Sequence, residues 1–179
     1  MTTFSESVSK LRRAERLQEL EVDRVVRLCL KHGCRGSLLD IGTGSGLFAE
    51  AFDGCGLDVY GIDPDPDMIA AARYYLPGAG FQVAAAESLP FRDNVFDAVF
   101  MGMALHETAD PQRAMREARR VVRNLVIILE WPLPKSTDPK PKARRFRPAE
   151  IRRWSESVGF TAMQTHRLAH MILYINRLR

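Results

Sequence analysis

Cysteine is scarce in this sequence: only Cys29, Cys34 and Cys55 occur, and none forms a Cys-x-x-Cys pair. An odd, sparse count of this kind argues against a disulfide framework and against a thiolate zinc site, and no metal centre is expected. Long apolar runs are also missing. The longest unbroken aliphatic stretch is Leu125-Val126-Ile127-Ile128-Leu129, far short of the roughly 20 residues that cross a bilayer. The opening Met1-Thr2-Thr3-Phe4-Ser5-Glu6 has neither a basic start nor an apolar core. A secretory signal is therefore not expected, and a reducing cytoplasm is the expected setting. What is present fits a globular chain. Of the 179 residues, 46% are hydrophobic and 27% are charged, a mixture that buries a core and does not fit disorder.

The net charge of +4 conceals a division along the chain. Acidic residues dominate up to Asp110, and basic ones dominate beyond it. Such polarity points either to an anionic partner or to solvated basic faces. Lys135, Lys140, Lys142, Arg144, Arg145 and Arg147 form a Pro-rich basic loop that is a weak candidate for RNA. Few aromatics are interleaved there, so stacking of bases is not supported. Arg113, Arg116, Arg120 and Arg123 are expected to run along one helix face, exposed to solvent.

Hydrophobic periodicity alternates between the strand and helix repeats. Residues 5–18 read as an amphipathic helix or a loose arm, and residues 21–31 as a helix stopped at Gly33. Strands are predicted over 37–41, 57–62, 81–84, 96–101 and 125–130. Helices are predicted over 47–52, 67–75, 111–123 and 149–158, and two further strands over 161–167 and 171–175 form a closing hairpin. Asp110-Pro111 supplies a cap followed by proline at the first helical position. Continuous apolar strands between helices imply a parallel sheet covered on both faces. The expected fold is a doubly wound, Rossmann-like α/β domain with an antiparallel end. Residues 1–32 are expected as a helical arm packed on a single domain over 33–179.

The segment Leu38-Leu39-Asp40-Ile41-Gly42-Thr43-Gly44-Ser45-Gly46 places an acid at a strand end, then three glycines, then a helix. Glycine lets the chain turn tightly and lets a ligand approach the backbone, and the helix N-terminus favours an anionic group. Asp63 ends the second strand, where a carboxylate accepts from both hydroxyls of a ribose. An adenosine-containing ligand with a charged tail is the expectation. The dinucleotide fingerprint is G-x-G-x-x-G/A, whereas Leu47 occupies its third position here. Asp40 would repel a pyrophosphate and attract an ammonium. S-adenosylmethionine, whose tail carries an ammonium and a carboxylate, fits better than NAD.

These motifs resemble those of class I S-adenosylmethionine-dependent methyltransferases, especially the ubiquinone/menaquinone C-methyltransferase group and similar small-molecule enzymes. The resemblance runs from Leu38 to Glu130. Leu39–Gly46 matches the first motif and Gly61-Ile62-Asp63-Pro64 the second. Ala84–Phe91 with Asp93–Val99 matches the adenine-side loop and fourth strand. The resemblance implies that Asp40, Gly42, Thr43, Gly44, Gly46, Asp63, Pro64, Ala85, Ala86, Glu87 and Met101 hold the cofactor. Ala85 departs from the family's usual acid, so adenine is expected to rest on backbone groups and apolar packing. A small-molecule acceptor is implied, bounded by Met103, Glu107, Glu130 and Trp131, with His106 the candidate base. A non-catalytic cofactor-binding module and an RNA methyltransferase are the alternatives.

Overall fold

A computed structural model describes residues 6–134 and 144–178 of the chain. Its centre is a seven-stranded sheet in the order β3-β2-β1-β4-β5-β7-β6. The strands are β1 (Ser37–Ile41), β2 (Asp58–Asp63), β3 (Gly80–Val83), β4 (Phe96–Gly102), β5 (Val122–Glu130), β6 (Ala162–Arg167) and β7 (Ile172–Arg177). The first five are parallel, and β7 pairs antiparallel with both β5 and β6. The expected α/β fold with its C-terminal antiparallel hairpin is thus present.

Alternate residues along the central strands enter two different cores. Leu38, Phe100 and Ile127 face one layer, with Val25, Phe48 and Phe52. Leu39, Val99, Met101, Val126 and Ile128 face the other, with Ala114, Met115 and Trp154. Both faces are buried, which is why these strands read as continuous apolar runs. Helices α3 (Val22–Lys31), α4 (Leu47–Asp53) and α5 (Pro66–Tyr75) cover the first side, and α6 (Pro111–Val121) and α7 (Pro148–Ser157) the second. Asp65 and Asp110 cap α5 and α6 by accepting from Asp67 and Arg113 backbone N–H groups, and proline opens each helix.

From β1 the chain steps outward to β2 and β3, then returns to β4 on the other side of β1. The order reverses between β1 and β4, and a ligand crevice opens beyond their carboxyl ends. The region over 5–18 forms two short helices, α1 (Glu6–Leu11) and α2 (Ala14–Leu20). Glu21, at φ 47°, turns α2 into α3. Its carboxylate accepts from Ala169 N–H at 2.6 Å, fixing that corner to the β6–β7 turn.

The predicted helix over 111–123 is shorter than its pattern. It ends at Val121, and Val122 already pairs with Phe96 of β4. Arg123 is therefore a strand residue, bonded to Asp97 at 3.0 Å. Arg120 does not simply face water either. Its guanidinium donates to Glu117, Asp93 and the carbonyls of Leu89 and Phe91. Compensation by local carboxylates and carbonyls explains why a basic run on the sequence is not a uniformly solvated face.

Candidate functional site

The turn after β1 is built on left-handed glycines. Gly42, Gly44 and Gly46 have φ of 70°, 53° and 79°. At Gly42 a Cβ would lie 2.4 Å from that of Ala104, so the close approach as well as the φ demands glycine. The N–H groups of Gly42 and Thr43 donate to Ile62 carbonyl at 2.8 and 2.9 Å, fastening the turn to β2. Asp63, at the end of β2, accepts from Gly44 N–H and Asp65 N–H, each at 2.9 Å. The two motifs are one hydrogen-bonded unit.

Asp40 is buried, and its Oδ2 accepts from Thr43 Oγ1–H at 2.8 Å. Among the described residues it has no ion pair. Burial pushes its carboxyl up to about 7, opposed by the Thr43 hydrogen bond and reinforced by the nearby Asp63 charge. Burial also raises Asp63, against the pull of its two backbone donors. Two desolvated carboxyls at one end of the crevice, with no ion pair to either among the described residues, favour a ligand that brings positive charge and hydrogen-bond donors.

Two adjoining cavities of about 390 and 270 Å³ share Gly42, Asp63, Pro64 and Glu107. The larger is bounded by Asp40, Thr43, Gly44, Met103, His106 and Trp131. The smaller is bounded by Ala84, Ala85, Ala86, Glu87 and Thr108. Glu87 closes its far end by accepting from Ala109 and Asp110 N–H groups at 2.8 and 3.2 Å. Fourteen of the sixteen sequence-predicted residues lie on these walls or immediately behind them. The exceptions are Met101 and Gly46. Met101 is fully buried in the α6–α7 core and lines neither cavity, because it shares the strand phase of Val99. Gly46 borders neither cavity and serves as the N-cap of α4, where an added Cβ would lie 3.2 Å from Ala72.

His106 lies in a single 3₁₀ turn after β4 (Leu105–Glu107). Its Nδ1 is 2.8 Å from Glu130 Oε2 and 3.1 Å from Oε1, and its backbone N–H donates to Oε1 at 3.0 Å. Trp131 N–H also donates to Glu130, at 3.3 Å. Glu130 is buried and stands behind His106, not on the cavity wall where it was expected. A carboxylate surrounded by N–H donors assigns the imidazole proton to Nδ1 and leaves the Nε2 lone pair for the cavity. Nε2 has Glu107 at 3.8 Å, a mostly exposed side chain at the rim.

The sequence reading missed the arm's contribution to the walls. Leu11, Arg16 and Leu20 border the larger cavity. Arg12 donates to Ser45 Oγ and carbonyl oxygen, pairs with Glu50 at 2.8 Å, and stacks 3.5 Å over Tyr75. The only hint in the sequence was the presence of arginines on an amphipathic segment. Of the basic loop, Lys135, Lys140 and Lys142 lie outside the described residues. Arg145 lies 5.3 Å over the Trp131 ring. No group of three metal-ligating side chains occurs among the described residues, and no helix among them is long and apolar enough to cross a membrane.

An α/β crevice with an acid at each of two strand tips defines a nucleoside-binding class of protein. Comparison with known families narrows it: the family described as "Methyltransferase domain" matches residues 39–129, and the chain belongs to it. An uncharacterized methyltransferase of Mycobacterium tuberculosis is 40% identical over 86 residues, covering 48% of this chain and 35% of that protein. The demethylmenaquinone methyltransferase of Renibacterium salmoninarum is 34% identical over 86 residues, covering 48% and 36%. The matched stretch thus spans about a third of these curated relatives. The crystal structure of a SAM-dependent methyltransferase from Aquifex aeolicus superposes with a TM-score of 0.76 at 22% identity, covering 99% of this chain and 100% of that one.

Proposed function

We propose that the protein is an S-adenosylmethionine-dependent methyltransferase acting on a small-molecule acceptor. The observation that carries this reading is the pair of buried carboxyls, Asp40 and Asp63, at one glycine-lined crevice. The donor fits these residues. Asp40 would hold its ammonium, Asp63 its ribose hydroxyls, and the wall from Ala84 to Glu87 its adenine. When bound, S-adenosylmethionine supplies a methyl already activated by a positive sulfur.

The chain's own contribution is chiefly alignment, exclusion of water and removal of one proton. Effective molarities from good alignment reach about 10⁵ M or more. The bound donor would supply the methyl and keep the carbon–sulfur bonding pair. The proton that the acceptor loses passes to His106 Nε2. Glu130, bonded to Nδ1–H, positions the ring and steadies the imidazolium that results. Leu11, Leu20, Met103 and Trp131 bound the apolar part of the chamber.

Calorimetry with S-adenosylhomocysteine and S-adenosylmethionine tests the binding half of this reading. Micromolar affinity, lost in Asp63→Ala, is expected, and absence of heat and of thermal shift at millimolar ligand would overturn it. Release of S-adenosylhomocysteine in the presence of an acceptor panel tests turnover. Tight binding with no transfer to any member would favour the non-catalytic alternative.

A further inference from the structure

The acceptor end of the larger cavity has a cationic wall that the donor does not need. Arg16, on α2, borders this cavity beside Met103, His106 and Trp131. Its partners among the described residues are unequal. Nη1 pairs with the half-exposed Glu19 at 2.8 Å. Nη2 donates to the thioether sulfur of Met103 at 3.2 Å. Its guanidinium carbon lies 5.2 Å over the Trp131 ring, which also carries Arg145 at 5.3 Å. A thioether is a weak acceptor, so a guanidinium on a three-quarters buried side chain has Nη2 on a poor partner. An anionic oxygen there would replace a weak contact with a charge-assisted one. Met103 is held in this place by backbone: it has φ 58°, and its N–H donates to Leu129 carbonyl at 2.8 Å.

The acidic groups of the crevice lie elsewhere. Asp40, Asp63 and Asp65 border its donor end, while Glu107 is exposed at the rim and Glu19 is already engaged by Arg16. The cavity therefore changes sign along its length, from carboxylates at the glycine turn to Arg16 and the Trp131 ring at the far end. Trp131, with both guanidinia over its ring, bounds this end, and His106 borders the same cavity.

We propose that the methyl acceptor is a planar small molecule bearing a carboxylate, which Arg16 binds while the ring packs beside the Trp131 indole and its hydroxyl or amine meets His106. This rests on the methyltransferase reading and names the substrate class for the same site. Arg16 is its specificity determinant.

The test uses the full chain saturated with S-adenosylhomocysteine and titrated with matched probes: 4-hydroxybenzoate against 4-hydroxybenzamide, indole-3-acetate against indole-3-acetamide, and 4-hydroxyphenyl phosphate. At least one acid is expected to bind tenfold or more tighter than its amide, with the phosphate weaker than the benzoate. Arg16→Gln should abolish the acid–amide ratio while changing S-adenosylhomocysteine affinity by less than twofold. Glu19→Gln, which frees Nη1, should enlarge the ratio two- to threefold; a purely structural Arg16 would leave it unchanged. Equal binding of acids and amides, binding of no probe, a preference for the phosphate, or a ratio that survives Arg16→Gln overturns the proposal. Failure of S-adenosylhomocysteine itself to bind would instead refute the methyltransferase reading, so the two failures are separable.

Discussion

Asp40 ties ligand affinity to pH in a way that can be worked from its burial. Without a ligand its carboxyl titrates at about 7 because burial disfavours the charge. An ammonium ligand binds the ionised form. Affinity for S-adenosylhomocysteine therefore reaches a plateau above that pH and falls below it, by about 1.4 kcal/mol for each further pH unit. From pH 8 to pH 6 the expected loss is about tenfold, with about 0.9 proton released per ligand bound at pH 6. Stability of the ligand-free protein runs the other way. A carboxyl raised in the folded state favours folding when protonated, so this contribution is lost as pH rises from about 4 through 7. Calorimetry at several pH values, in buffers of different ionisation enthalpy, reads affinity and proton release together. Asp40→Asn should flatten the pH profile, lower affinity at pH 8 by about ten- to a hundredfold, and raise the melting temperature of the unliganded protein at that pH. A flat profile in the wild type, or an unchanged slope in Asp40→Asn, would refute the reasoning.

Asp63→Ala removes the acceptor that joins Gly44 to β2, and with the lost ribose bonds it should weaken S-adenosylhomocysteine binding about tenfold or more by calorimetry. Glu130→Gln should leave that affinity within twofold while lowering kcat by about a hundredfold or more on an active acceptor; the ¹⁵N shifts of His106 should show loss of the pure Nδ1–H tautomer. Gly42→Ala must accommodate both φ 70° and the Ala104 methyl, and denaturant unfolding should show a loss of about 2 kcal/mol or more. Arg120→Ala removes the cation paired with Glu117 and the donor to the Leu89 and Phe91 carbonyls, with an expected loss of about 1–3 kcal/mol by the same assay.

Local pattern carried the strand and helix sequence because each element repeats its own period. Leu38, Leu39 and Ile41, and Leu125 to Leu129, face two cores, which makes their apolarity on both strand faces diagnostic. The end of α6 was not legible, since Val121, Val122 and Arg123 satisfy a helix pattern until β4 pairs with Val122. The resemblance implies Met101 at the cofactor, although the alternation that puts Val99 in the core puts Met101 there as well. The glycine turn, Asp40 and Asp63 were legible because their chemistry follows from residue type and strand position. The arm's share of the site was not: Arg12 meets Ser45 and Arg16 meets Met103 across 33 and 87 residues, and such pairings have no local signal. Glu130 illustrates a subtler miss, for its strand-end position was correct but its orientation behind His106 depends on the 3₁₀ turn.

The clasp of Arg12 on Ser45, Glu50 and Tyr75 has a kinetic corollary. Part of the chamber's ceiling hangs from the same turn that would cradle the nucleoside. Every exchange of spent for fresh donor would then strain that suspension, making residence time a property of the arm that carries Arg12 as much as of the pocket floor.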